Sequence, residues 1–201
     1  KLFQIFATGT GVTRDPELAQ RLLRSSAERG HAPAQFELGQ ALDVGTHGER
    51  SPAEAAQWYL KAAQQEHAWA QFNLGVACET GDGLPQSPEQ AAVWYRRAAE
   101  QGLAPAQFNL AVLLDQGRGV ERDLAEATKL YLKAAEQGFA LAQYNCGVAC
   151  AKGEGVPQAL DQAVAWYRKA AGQGVVEAQF NLAEALEEGA GAPVDKAEAR
   201  R

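Results

Sequence analysis

Two apolar helical stripes follow one another along the chain and return with a period of 36 residues. The first stripe comprises Ala55, Tyr59, Ala62 and Ala63. The second comprises Ala70, Leu74 and Cys78. Both sets are spaced at three or four residues, which is the spacing of one face of an α-helix. Each period therefore predicts a pair of amphipathic helices joined by a short turn.

The same columns recur in five successive units without insertion or deletion. The most constant one reads Ala34-Gln35-Phe36, Ala70-Gln71-Phe72, Ala106-Gln107-Phe108, Ala142-Gln143-Tyr144 and Ala178-Gln179-Phe180. A fixed period of this size is typical of stacked-repeat proteins, in which each unit packs only on its neighbours. The pattern predicts an all-α fold built from antiparallel helix pairs, with one continuous core.

The period divides the chain into repeats. We expect five of them over residues 15–194, at about 15–50, 51–86, 87–122, 123–158 and 159–194. Residues 1–14 read as the end of a preceding repeat, because Leu2 and Phe6 occupy core columns. Residues 195–201 read as the start of a further helix that is cut short.

Capping residues mark the predicted helix ends. Ser51, followed by a proline and then by Glu54, predicts a capping box at the start of a first helix. Ala159 has no side chain that can cap, so that helix should fray or begin late, at a cost of about 1 kcal/mol. Glu66 stands where other repeats have a glycine that ends the helix, so we expect mild backbone strain there. Gly75, inside a second helix, predicts that another backbone passes close by.

These columns resemble a known repeat. The resemblance rests on Ala70-Gln71-Phe72-Asn73-Leu74-Gly75, on Gly81 and Gly83, and on Trp94-Tyr95, Ala98-Ala99 and Gly102. Together they are similar to the Sel-one-like repeat, a relative of the tetratricopeptide repeat. The resemblance implies a right-handed α-solenoid of antiparallel helix pairs that serves as an adaptor or scaffold in protein complexes. The departures from the pattern are His47, Glu66, Ala111, Leu130 and Ala183.

One face of the second helices varies between repeats while the core columns stay constant. By resemblance to tetratricopeptide proteins, this face should line a concave groove. The predicted partner-binding residues are Trp69, Asn73, Val76, Asn109, Val112, Leu141, Asn145, Val148, Asn181, Glu184 and Glu188. The groove should be apolar and amide-bearing in its middle and acidic at its C-terminal end. An acidic column of Asp43, Glu79, Asp115 and Glu187 should run beside it.

Two features of this face have alternative interpretations. Asn73, Asn109, Asn145 and Asn181 form a ladder whose amides suit the backbone of an extended peptide. Alternatively, each asparagine bonds within its own repeat. Trp69 stands where other repeats have proline, leucine or glutamate, so it is either an anchor for a partner or a residue that packs on the preceding loop.

Charge and composition exclude several functions. The formal net charge of −6 argues against a nucleic-acid partner, and no apolar run is long enough to span a membrane. No export signal can be read near Lys1. The exposed basic column of Lys61, Arg97, Lys133 and Lys169 is interpreted as a solvated face, with an acidic partner or a membrane surface as the alternative.

The cysteines and histidines bear on catalysis and metal binding. Cys78, Cys146 and Cys150 occupy leucine columns and are expected to be buried thiols without a disulfide. His31 and His67 lie one repeat apart, too far to share a metal ion, and His47 is a lone loop residue. No catalytic constellation can be assembled. We therefore expect no enzyme activity, no metal and no cofactor.

The predicted function is a protein–protein interaction module. Its groove would bind a protein or peptide segment that carries basic residues toward the acidic end. One alternative is a scaffold that self-assembles through its open ends as a homo-oligomer. The other is a regulatory, immunity-type inhibitor that covers an enzyme, as some bacterial members of the resembled family do. Bacterial members are also often exported to the periplasm or cell envelope, although the sequence itself names no compartment.

Overall fold

The structure is a computed structural model that describes residues 15–46 and 48–199, apart from the side chain of Glu198. Regular secondary structure in these residues is helical throughout. The helices are α1 (Pro16–Glu28), α2 (Ala32–Val44), α3 (Pro52–Ala63), α4 (Ala68–Thr80), α5 (Pro88–Glu100), α6 (Ala104–Gln116), α7 (Leu124–Glu136), α8 (Ala140–Lys152), α9 (Leu160–Gly172), α10 (Val176–Glu188) and α11 (Lys196–Ala199). The predicted all-α fold of repeated helix pairs is confirmed.

The described residues divide into two compact units, unit 1 up to Ala98 and unit 2 from Ala99, with the boundary near the end of α5. Within each unit, helices that are consecutive in the chain pack together. In unit 1 the core includes Ala55, Tyr59 and Leu74. In unit 2 it includes Ala163, Tyr167 and Leu186.

A tyrosine on each of several first helices packs into a notch left by a glycine on the preceding second helix. A Cβ built on Gly75 would lie 2.6 Å from the ring of Tyr95, and one built on Gly39 would lie 2.7 Å from the ring of Tyr59. Gly147 makes the same notch for Tyr167. The close approach predicted at Gly75 therefore exists, but an aromatic ring makes it and not a backbone.

The helix ends agree with the sequence in part. Glu66 has a φ of 60°, so the strain predicted for this non-glycine residue is confirmed. The side chain of Ser51 makes no capping hydrogen bond, so the predicted capping box is wrong at this helix. Ala159 also gives no side-chain cap, yet α9 begins directly after it at Leu160 and not at Asp161. The chain keeps its period here even without the cap.

Buried glutamines tie the two helices of a pair together. The amide of Gln71, which is fully buried, donates to the carbonyl oxygen of Ala63 at 3.2 Å. The same bond, to the carbonyl oxygen eight residues earlier in the chain, recurs from the buried Gln35, Gln107 and Gln143 and from the exposed Gln179. A neighbouring repeat adds a second bond, since Gln65 donates to Gln35 at 2.7 Å. The constant glutamine column thus satisfies polar groups at the helix ends.

Some predictions fall on residues outside the described part of the chain. These are the core role of Leu2 and Phe6 in residues 1–14, and the departure from glycine at His47.

Candidate interaction surface

The predicted partner-binding residues share one face of the second helices in each unit. The largest exposed side chains on it are Trp69 of α4, which is 46% exposed, and Leu141 of α8, which is 47% exposed. They occupy the same column of two repeats. Asn73, Val76, Asn109, Val112, Asn145, Val148 and Asn181 are half-buried, whereas Glu184 and Glu188 are exposed. Large apolar side chains are therefore exposed to solvent beside the partly accessible side-chain amides of the asparagines.

Trp69 is held in place by its neighbours. Its ring meets the ring of Phe72 edge-on, with centroids 5.8 Å apart. Phe72 in turn lies 5.8 Å from the ring of Tyr95 in the core. An aromatic side chain that is both oriented and half exposed loses little conformational entropy when a partner covers it.

The asparagine ladder faces the tyrosine column. The side-chain amide of Asn73 hydrogen-bonds the hydroxyl of Tyr59, and Asn145 and Asn181 do the same with Tyr131 and Tyr167. Each of these bonds lies within one of the predicted repeats. This geometry favours the structural interpretation of these asparagines over a ladder reserved for a peptide backbone.

Tyrosine hydroxyls of this column also donate hydrogen bonds to carboxylates. The Tyr59 hydroxyl donates to Asp43 Oδ2 at 3.4 Å, and the Tyr95 hydroxyl donates to Glu79 Oε2 at 2.7 Å. Burial raises the pKa of Tyr59 to about 12, and the nearby Asp43 charge raises it as well. The Tyr59 hydroxyl therefore remains protonated at neutral pH and acts as a hydrogen-bond donor.

A small cavity lies beside one tyrosine of this column in each unit, Tyr59 in unit 1 and Tyr131 in unit 2. In unit 1 it has a volume of ≈ 100 Å³. Its lining is Asp43, Pro52, Ala55, Ala56, Tyr59, Asn73, Val76, Ala77, Thr80 and Asp82. In unit 2 a cavity of ≈ 40 Å³ lies at the corresponding columns and includes Asp115, Tyr131, Asn145 and Val148.

An arginine that the sequence did not single out lies beside the unit 1 cavity. Arg50 Nε donates to the carbonyl oxygen of Asp43 at 2.7 Å, and its Nη2 contacts the carboxylates of Asp43 and Asp82. Arg122 repeats the backbone bond to Asp115 at 2.7 Å. Gln86 and Gln158, in the same column, donate to the carbonyl seven residues earlier. The only sequence signal was a column that carries a long donor side chain in four repeats and Val194 in the fifth.

The Sel1 repeat profile matches residues 1–31, 32–67, 70–103, 104–139, 140–175 and 176–201, which is nearly the whole chain. The chain belongs to the Sel1 repeat family. Four of these six segments begin at the first residue of a second helix, so the family's frame is shifted by half a repeat from the frame used above. A search of curated proteins gave no match.

Solved structures place this Sel1 repeat protein among proteins of the same fold. A protective antigen of uropathogenic Escherichia coli with an SLR fold is 34% identical, with a TM-score of 0.93 over 99% of this chain. This chain spans only 43% of the length of that antigen. A Sel1 repeat protein from Oxalobacter formigenes is also 34% identical, with a TM-score of 0.84 over 99% of this chain and 80% of its own.

An immunity protein from Pseudomonas aeruginosa shares the fold at lower similarity. It is 21% identical, with a TM-score of 0.51 over 98% of this chain and 73% of its own.

The cysteines and His67 of this Sel1 repeat protein contribute to packing and hydrogen bonding. Cys78, Cys146 and Cys150 are buried free thiols, as predicted. The Nδ1 of His67 accepts the backbone N–H of Ala70 at 3.3 Å, and its ring stacks on Phe36 at 4.6 Å. Within residues 15–46 and 48–199, no group of three or more His, Cys, Asp and Glu side chains can hold a metal ion.

The basic column lies on the first helices and is exposed, as predicted. Lys61 and Lys169 lie over the rings of Trp58 and Trp166, with Nζ 3.8 and 4.0 Å from the centroids. Leu130 replaces the tryptophan beside Lys133. In the part of the chain that the structure covers, no helix is long and apolar enough to cross a membrane.

Two apolar side chains of α10 are exposed. Phe180 is 68% exposed and Val176 is 69% exposed, one helical turn apart on α10. In the earlier repeats the same aromatic column packs on a tyrosine of the following helix, as Phe36 does on Tyr59 at 6.0 Å. The acidic side chains Glu184 and Glu188 lie further along the same helix.

Proposed function

We propose that this Sel1 repeat protein is a non-catalytic protein–protein interaction module that binds its partner on the face of the second helices. The observation that carries this proposal is the recurrence of a large exposed apolar side chain, Trp69 in unit 1 and Leu141 in unit 2, in one column. Oriented apolar anchors beside polar groups are characteristic of protein interfaces. The family is one whose repeats mediate protein interactions, which supports the same conclusion.

The proposed interface combines these anchors with the groups around them. In unit 1, Val76 adds apolar area beside the cavity, while Asp43 and Asp82 supply negative charge. In unit 2, Val148 and Asp115 take the same positions. Glu184 and Glu188 extend the negative charge on α10, which supports a partner segment that carries basic residues.

Affinity capture from the source cell tests this proposal. The bait is the wild-type protein, compared with the double variant Trp69→Ala with Leu141→Ala. The matched control is Leu60→Ala with Leu160→Ala, which removes one exposed leucine of a first helix from each unit. We expect a partner that is retained by wild type and control and lost from the double variant. Equal retention by all three would refute the proposed face.

Self-association is a second candidate, favoured by the exposed Phe180 and Val176 on α10. An uncovered apolar pair of this kind can pack against a second copy of the chain. It predicts a mass that rises with protein concentration in light scattering, and a monomer after Phe180→Ser. A constant monomeric mass in the wild type would reject it.

The immunity-type alternative predicts a different kind of partner. The Pseudomonas aeruginosa immunity protein supports this alternative through its fold alone. An inhibitor would form a tight complex with one folded enzyme and would not bind short peptides. The identity of the captured partner separates this alternative from an adaptor.

A further inference from the structure

We propose that the cavity of unit 1 binds the side-chain ammonium of a lysine on the partner protein, an inference that rests on the proposed interaction face. The cavity lies on that face, between α3 and α4, and Val76 is part of its wall. Its volume of ≈ 100 Å³ exceeds the roughly 30 Å³ share of one water molecule in the liquid. It therefore admits a small polar head group.

The polar atoms of the cavity are mostly oxygens that can accept hydrogen bonds. Each carboxylate oxygen of Asp43 accepts one hydrogen bond. Oδ1 accepts from Arg50 at 3.0 Å, and Oδ2 accepts from Tyr59 at 3.4 Å. The hydroxyl oxygen of Tyr59 and the amide oxygen of Asn73 can also accept. An ammonium group has three donors and no acceptor, and this set of oxygens matches it.

Among the described residues, the charges around the cavity sum to one negative charge. Asp43 and Asp82 contribute two carboxylates, and the Arg50 guanidinium contacts both. The two carboxylate side chains are 38% and 43% exposed, so a ligand can approach them from solvent. The apolar part of the wall, from Ala55, Ala56 and Val76, suits the hydrocarbon stem of a lysine.

The same construction recurs 72 residues later. Every residue that lines the unit 2 cavity occupies the column of a residue that lines the unit 1 cavity. Asp115 and Glu154 again supply two carboxylates, and Arg122 lies 3.8 Å from Asp115. This cavity is smaller, and Lys152 replaces Thr80 in the column that completes the wall in unit 1. We expect weaker binding there.

Other repeats lack the pair of carboxylates in their sequence. Glu79 is paired with Arg118 in the column of Asp82, and Ala151 is paired with Ala190. Two acidic residues therefore occupy both columns only in alternate repeats. This difference supplies matched controls.

The test is a pair of synthetic peptides titrated into the ¹⁵N,¹³C-labelled protein. Both are seven-residue alanine–valine peptides with blocked ends, and the central residue is lysine in one and norleucine in the other. We expect the lysine peptide to shift the side-chain amide of Asn73 and the methyl groups of Val76 saturably. The norleucine peptide should bind about tenfold more weakly, because it lacks the charged donor. Equal binding of both peptides, or binding of neither, would overturn the assignment.

Substitutions locate the site. Asp43→Asn should weaken binding of the lysine peptide at Asn73 by about tenfold, whereas Glu187→Gln, in the same column, should leave it unchanged. If Asp43→Asn perturbs the fold, Tyr59→Phe gives the second comparison, since it keeps the ring in its notch. Its control is Tyr167→Phe, in a repeat where Ala151 replaces the acidic residue. Equal effects of a variant and its control would refute the site.

The outcome is separable from that of the proposed function. Selective lysine binding at Asn73, with no loss of a cellular partner on removal of Trp69 and Leu141, would sustain the cavity and reject the wider face. Loss of the partner without lysine selectivity would sustain the face and reject the cavity.

Discussion

At the scale of single residues, the tyrosine column joins the core to the proposed interface. The ring of Tyr59 fills the notch at Gly39, while its hydroxyl bonds Asp43 and Asn73 on the exposed side. One side chain thus fixes the packing of two repeats and the position of the polar groups at the cavity. This arrangement predicts that the glycine of the notch cannot be enlarged without cost.

Replacing Gly75 by alanine tests the notch. The new Cβ would meet the Tyr95 ring at 2.6 Å, so we expect a loss of about 1–3 kcal/mol in the free energy of unfolding. Gly172→Ala is the matched control, because a Cβ at this helical glycine meets nothing within 4 Å and alanine favours the helix by up to about 1 kcal/mol. Urea denaturation measures both. A stability of Gly75→Ala equal to that of wild type would contradict the packing described.

His67 makes the stability dependent on pH. Burial lowers the pKa of His67 below its ordinary value of 6.5, so the folded protein favours the neutral ring. This contribution to stability is complete above pH 6.5 and is lost as the pH falls through that value toward the lower pKa of the folded state. His67→Phe should reduce this loss and keep a ring contact, as Phe139 packs on Phe108 in the same columns with centroids 5.2 Å apart. Identical pH profiles of unfolding free energy for the variant and the wild type would disprove this contribution of His67.

Backbone strain could be predicted where a residue departs from its repeat column. Side-chain contacts that depend on the choice of rotamer could not. Glu66 was predicted to be strained because a glycine column demands positive φ, and its φ is 60°. The missing cap at Ser51 and the contacts of Arg50 could not be predicted, because each depends on which of several side-chain rotamers the packing selects.

At the scale of the helix, periodicity predicted the elements closely. The apolar stripe of Ala70, Leu74 and Cys78 predicted a second helix, which is observed at Ala68–Thr80. The apolar stripe sets such a helix, and a glycine in the left-handed region ends it, with φ of 80° at Gly81. The late start considered for α9 was wrong, because packing of its core column holds the first turn without a cap.

The uncapped start of α9 offers a stabilising substitution. Ala159→Ser supplies an oxygen for the free N–H groups of the first turn, so we expect a gain of about 1 kcal/mol in unfolding free energy. Asp123→Ala is the reciprocal change, because Asp123 Oδ1 accepts the N–H of Glu126 at 2.9 Å, and it should lose about the same amount. Thermal unfolding of both variants measures the effect. A gain from neither Ala159→Ser nor Ala159→Asp would show that the cap is irrelevant there.

At the scale of the whole molecule, the period of 36 residues predicted the class of fold, and the residues that recur in its columns predicted the family by resemblance. The partner-binding face was predicted from the resemblance and the variable stripe, and it remains a prediction. The structure adds what a column comparison cannot give, namely which half-buried amides are already bonded to tyrosines and where a cavity opens. Those features depend on how the side chains of neighbouring helices pack, whereas the period gives only the number and order of the helices.

The buried thiols report the opening of each unit. Burial raises the pKa of Cys146 to about 12 and also raises the pKa values of Cys78 and Cys150. We expect almost no reaction with a thiol reagent at pH 8 in the native protein, and reaction of all three thiols in denaturant. Mass spectrometry assigns Cys78 to unit 1 and the other two to unit 2. Rapid labelling of native Cys146 would contradict its burial.

Site-specific photo-crosslinking in the source cell shows whether the partner binds on the face of the second helices. A photoreactive phenylalanine analogue replaces Trp69 or Leu141 on the proposed face, or Leu60 or Leu160 on the first helices as controls. The account predicts that both sites on the face crosslink to the same protein and that the control sites do not. Adducts formed only from the first helices, or equally from both sets, would contradict it.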